Sequence, residues 1–221
     1  MSSFVLKLIA LISMFFDHTS YYLHGNNFST LNLIGRFAFP IFAFQLTEGF
    51  IHTKSRKNYA IRLLLFAIIS QIPFALFNAK FISTDFGLNI FFTLFLGFIC
   101  LIIYDKNKIY GIISLFVISI ISELTSCDYG MYGIIIIFLF YTFKDHVIIM
   151  NVLFILTTIL KYTNNFINNI NTPYLYIYIL LCLFTILSII FINFYNKKEG
   201  PKMKYLFYIF YPLHLLLLYF L

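Results

Sequence analysis

Long apolar runs alternate with short polar connections along this chain, and the runs set its architecture. Nine can be traced, at roughly 4–24, 31–51, 59–79, 88–104, 109–124, 130–143, 147–161, 174–195 and 204–221. None shows the strict apolar–polar alternation of a membrane barrel strand. A continuous apolar run of ~20 residues reads instead as a membrane-crossing helix, because a helix satisfies its own backbone where no water is available. The fifth to seventh runs are short for a span, and eight spans plus a re-entrant piece fit the pattern as well. The expectation is an all-α polytopic membrane bundle of about nine transmembrane helices. No repeat or composition shift marks a boundary, so residues 1–221 read as one domain.

Composition agrees with the pattern. The chain is 62% hydrophobic and 10% charged, whereas a soluble domain carries about 25% charged residues. There is too little polar surface for a water-soluble globule, so the partner of most of the surface is the lipid bilayer. A net charge of +7 would suggest nucleic acid for a soluble protein. Here the basic residues sit in short clusters between apolar runs, which is how helices are oriented in a membrane, and nucleic acid is not expected. Cys100, Cys127 and Cys182 lack paired spacing and read as small apolar fillers, with no metal motif. The first run lacks a charged leader and a small-residue cleavage site, so it is not expected to be a cleaved signal peptide.

The clusters fall in alternate connections. One side has Lys54, Arg56, Lys57 and Arg62, then Lys106 and Lys108, then Lys144, then Lys197, Lys198, Lys202 and Lys204. The intervening connections hold little more than Lys80 and Lys161. The positive-inside rule makes the basic side cytoplasmic, with the N-terminus inside and the C-terminus outside.

Polar residues inside the runs carry the candidate chemistry. An ionisable side chain near a bilayer centre costs about 2.5–3.5 kcal/mol on insertion scales and is usually kept for use. Asp17 and His18 stand late in the first run, Arg36 and Glu48 at opposite ends of the second, and His214 inside the last. With the N-terminus inside, Asp17, His18, Arg36, Asp128 and His214 can share an outer-half cavity. Glu48, Arg62 and Lys57 could then line its inner mouth. Helical spacing puts His18 on one face with Lys7, Met14, Tyr21 and Tyr22. Adjacent residues point ~100° apart, so Asp17 is not expected to partner His18. Arg36, Asp128 and His214 are the candidates for that role, and Asp17 can pair with Arg36. Pro40, Pro73 and Pro212 are each expected to kink a helix beside a polar residue. Plainer readings stand beside these: Asp17–Arg36 as a structural pair, Asp128 as a turn residue, and Arg62 and Lys57 as orienting charges only.

Several stretches together resemble the TraX family. They are Lys7 to Ala10 with Met14 and Asp17-His18, Gly35-Arg36-Phe37-Ala38-Phe39-Pro40 with Glu48-Gly49-Phe50, Arg62, and Gln71-Ile72-Pro73-Phe74. Leu88 to Leu94, Asp128-Tyr129-Gly130 with Tyr132-Gly133, and the closing Tyr205 to His214 complete them. The resemblance covers nearly the whole chain and looks like the stand-alone bacterial members from low-GC Gram-positive cells. It implies a protein of the bacterial cytoplasmic membrane. The family takes its name from a conjugation protein that acetylates a pilin N-terminus, and it looks like a branch of the transmembrane acyltransferases. By that resemblance acetyl-CoA or another acyl-CoA is the co-substrate, with no metal. His18 would be catalytic, with Asp17 and Arg36 beside it, and Asp128 and His214 would complete the site. Acyl-CoA would enter past Glu48, Arg62 and Lys57. The acceptor would be a peptide N-terminus or an envelope component, protein or glycan. Two other classes fit the residues: a proton-coupled permease, and a non-catalytic accessory protein of conjugation or envelope assembly.

Overall fold

A computed structural model describes residues 1–82, 87–201 and 203–221. Lys202, one of the orienting residues, lies outside the described residues, and of Lys204 only the backbone is described. Ten helices are present among the described residues: α1 (Ser3–His24), α2 (Thr30–Gly35), α3 (Ala38–His52), α4 (Arg56–Phe81), α5 (Ile90–Lys106), α6 (Lys108–Leu124), α7 (Gly130–Thr142), α8 (Val147–Asn168), α9 (Leu175–Asn193) and α10 (Lys204–Phe220). The only β contact among these residues is an isolated bridge from Leu88 to Cys127.

Four helices, α1, α4, α8 and α9, are long and apolar enough to cross a membrane. Exposed apolar side chains such as Ile109, Phe116, Ile148 and Leu160 coat the outside of α6 and α8. Such a surface is stable against acyl chains and not against water. The chain is therefore an all-helical protein with membrane-spanning helices. α3 is the hub and packs against α1, α5, α7 and α9. Most of its residues are buried, and Phe39, Ile41, Ala43 and Phe50 lie in the core.

Three details differ from expectation. The second apolar run is not one helix: it breaks at Arg36-Phe37 into α2 and α3. Pro40 does not cause this. It sits in the first turn of α3, where a helix needs no N–H donor and proline is tolerated. Pro73 and Pro212 do lie inside continuous helices. Finally, α8 runs on to Asn168, so Lys161 belongs to a helix rather than to a connection.

The basic connections meet at one end of the bundle. Arg56 and Tyr141 both bond Asp105, at 2.5 and 2.7 Å. Beside them the start of α1 is fixed by backbone bonds from Ser3 to Lys198 and from Phe4 to Glu199. At the opposite end Leu88 exchanges backbone bonds with Ser126 and Asp128, and Asn26 donates to the Ile82 carbonyl at 2.7 Å.

Candidate functional site

The site begins with a helix cap. Ser29 opens α2, and Asn32 three residues on closes a capping box with it. The Asn32 Oδ1 accepts from the Ser29 N–H at 3.0 Å and from the Ser20 hydroxyl at 2.9 Å. Its amide nitrogen is thereby turned toward α1, where it donates to Asp17 Oδ1 at 3.1 Å. One turn later Arg36 donates through Nε to the Asn32 carbonyl at 3.1 Å. Its Nη2 then bridges both oxygens of Asp17, at 2.6 and 2.7 Å. Gly35 allows this: a Cβ there would collide with the Asp17 side chain. The ion pair is mostly enclosed, with side-chain exposures of 17% for Arg36 and 15% for Asp17, and every charge in it is hydrogen-bonded, as burial demands.

His18 looks the other way, toward α4 and α10. Its Nδ1 lies 2.6 Å from His214 Nε2. The ring centroids are 4.9 Å apart and the planes 23° apart, so the rings meet edge to edge, nitrogen to nitrogen. His214, buried at 3% exposure, uses its Nδ1 on the Phe210 carbonyl at 2.7 Å. Phe77 meets the His18 ring edge-on at 5.4 Å. Of the three partners considered for His18, the fold supplies His214, and Asp17 takes Arg36.

Both groups border a cavity of about 1020 Å³. The α1 face toward it carries Lys7, Met14, Asp17, His18 and Tyr21, as helical spacing requires. Tyr22 points instead to Phe81. The cavity reaches both ends of the bundle. Lys7, His52, Arg62 and Glu199 border it near the basic end, and Asn78, Glu123 and Ser126 near the opposite end. Such an apolar cavity with a few convergent polar groups is the default place for ligand chemistry.

Asp128 borders the same cavity as Asp17. Its loop is held by the Asp128 N–H on the Leu88 carbonyl and by the Thr93 hydroxyl on the Asp128 carbonyl. Tyr129 follows in the left-handed conformation at φ 64° and Gly130 at φ 45°, which ends the loop and starts α7. Burial pushes the Asp128 carboxyl up to about 6, against the pull of Lys161 and Arg36. Lys161 enters from α8, its ammonium 4.4 Å from the centroids of both Tyr129 and Tyr132. Among the described residues no carboxylate comes within ion-pair distance of it.

The fold brings five of the eight candidates to the cavity wall: His18, Asp17, Arg36, Asp128 and Arg62. His214 stands directly behind His18. Glu48 and Lys57 are elsewhere. Glu48 faces His52 at 3.6 Å, and the α3 face on the cavity carries Phe42, Gln45 and Gly49 instead. Lys57 is exposed at the start of α4. Sequence reasoning missed Asn32 and Lys161. The available signals were the Ser29-to-Asn32 capping spacing and the helical spacing of Phe154, Thr158, Lys161 and Tyr162.

A family model described as TraX protein matches residues 2–221. Over 232 residues the chain is 28% identical to a protein of Dichelobacter nodosus named probable fimbrial assembly protein FimC, serogroup H1, covering 98% of this chain and 94% of that one. It is also 31% identical over 105 residues to an uncharacterized protein of Rickettsia prowazekii (strain Madrid E), covering 48% of this chain and 38% of that one. No solved structure matches the chain.

Proposed function

The chain belongs to the TraX family, and from that premise we propose that it is a membrane-embedded acyltransferase. It moves an acyl group, acetyl in the simplest case, from acyl-CoA to an acceptor on the other side of the cavity. The observation that carries the reading is His18. Its Nδ1 is engaged by His214, and its ring borders a cavity that reaches both ends of the bundle. In this reading His18 Nε2 takes the proton of the acceptor's amine or hydroxyl as that atom attacks the thioester carbonyl. The tetrahedral oxyanion is stabilised by donors around it, Arg36 and Tyr21 on the cavity wall being the candidates. It collapses by breaking the C–S bond, and the departing sulfur takes the proton back from His18. Acylated acceptor and CoA result, and His18 is unchanged. Asp17 holds Arg36 in place. Arg62 borders the donor end and suits an anionic phosphate. The frame is nine spans, α2 and α3 forming one broken span, with the basic end cytoplasmic.

The test is to incubate membranes containing the protein with acetyl-labelled acetyl-CoA. Label should pass to an acceptor with wild-type protein and not with His18→Ala. Absence of transfer and of hydrolysis by wild-type protein rejects the proposal. The name of the Dichelobacter relative favours a second reading, a non-catalytic component of fimbrial assembly, for which His18→Ala would leave assembly intact.

A further inference from the structure

We infer that His214 is a positioning residue that fixes the tautomer of His18, so that Nδ1 carries the proton and Nε2 presents its lone pair to the cavity. The inference deepens the acyl-transfer reading, on which its catalytic meaning rests, but its geometric content stands separately.

It follows from one backbone carbonyl. The oxygen of Phe210 can only accept, so the His214 Nδ1 held 2.7 Å from it carries a hydrogen. In a neutral imidazole one nitrogen is a donor and the other an acceptor. His214 Nε2 is therefore an acceptor. Only one proton fits between it and His18 Nδ1 at 2.6 Å, and that proton belongs to His18. His18 Nε2 is then left with its lone pair, and no described residue bonds to it. A chain of three groups thus runs from a main-chain oxygen of α10 to a basic nitrogen on α1.

The arrangement has a chemical consequence. A neutral histidine in water carries its proton mainly on Nε2, the wrong nitrogen for a base that must accept there. The hydrogen bond on the far nitrogen sets the tautomer and the ring orientation. Aromatic packing keeps the relay in place: Phe15 lies 6.2 Å and Tyr211 5.8 Å from the His214 ring, and Phe210 stacks on it at 4.9 Å. His214 itself does not border the cavity and is not expected to touch substrate.

Two readouts test this. Nitrogen-15 NMR of histidine-labelled protein in detergent reports the tautomer directly. The wild type should show His18 protonated at Nδ1, and His214→Ala should return it to Nε2. In the transfer assay His214→Ala should lower kcat about 10–100-fold, in the range typical of groups that orient a catalytic histidine, with KM little changed. His214→Gln keeps an acceptor near the same point and should recover most of the rate and of the Nδ1 tautomer. A wild-type His18 protonated at Nε2 overturns the inference, as does a His214→Ala rate within twofold of wild type or a Gln variant as impaired as Ala. If wild-type protein transfers nothing, the acyl-transfer proposal fails while the NMR result still decides the tautomer.

Discussion

Asp17 and His18 are chain neighbours with separate tasks. The ~100° step of a helix sends them to different partners, Arg36 for one and His214 for the other. This separation was legible from spacing alone, whereas the Asp17–Arg36 pair was one of the pairings the sequence left open. The choice of His214 was not legible, because His18 and His214 are 196 positions apart and no local pattern relates α1 to α10. The ion pair makes a direct prediction. Removing one partner of an enclosed pair strands the other charge, which costs about 3 kcal/mol or more. Asp17→Ala should therefore melt well below wild type in detergent, and adding Arg36→Leu should recover part of the loss. An unchanged melting temperature for Asp17→Ala would show the pair to be unimportant to the fold.

At the scale of elements, the break between α2 and α3 matters most. Sequence reasoning placed a kink at Pro40, the strongest local breaker, whereas the chain turns at Arg36-Phe37. Tertiary packing decides this: Gly35 lets the end of α2 rest against Asp17, and Arg36 closes the turn over the same carboxylate. Proline then opens α3 rather than interrupting it. Gly35→Ala should push α2 away from α1 and loosen the Asp17–Arg36 contact, at a cost of about 1–3 kcal/mol typical of overpacking. The check is a lowered melting temperature together with impaired transfer. A variant with wild-type melting and turnover would contradict the close approach. α8 taught the opposite lesson. Its apolar stretch ends near Leu160, so Lys161 read as a connection, yet the helix continues through polar residues to Asn168. Beyond Leu160 the helix is tied to its neighbour by the Tyr162 hydroxyl, 3.3 Å from the Thr185 hydroxyl, a contact that hydropathy does not see.

At the scale of the whole molecule, the all-helical membrane class was legible because composition leaves no alternative surface. The cavity was only partly so. Its α1 face followed from helical spacing, but its extent to both ends depends on how α3, α4 and α10 pack together. The proposed orientation can be read by labelling. In a background without Cys100, Cys127 and Cys182, a cysteine at Ile170 should react with an impermeant maleimide on intact cells. A cysteine at Lys57 should react only after permeabilisation. The reverse pattern would invert the topology and with it the donor and acceptor ends.

The central claim is that His18 performs chemistry on a thioester. The most direct measurement is release of free CoA thiol from acetyl-CoA by membranes containing the protein and hence its acceptor, above that of membranes without it, wild type against His18→Ala. The account predicts release by the wild type and loss of about 10²-fold or more in the variant, the scale of a missing general base, while both proteins melt alike. Equal rates from the two proteins, or no release from either, would contradict it.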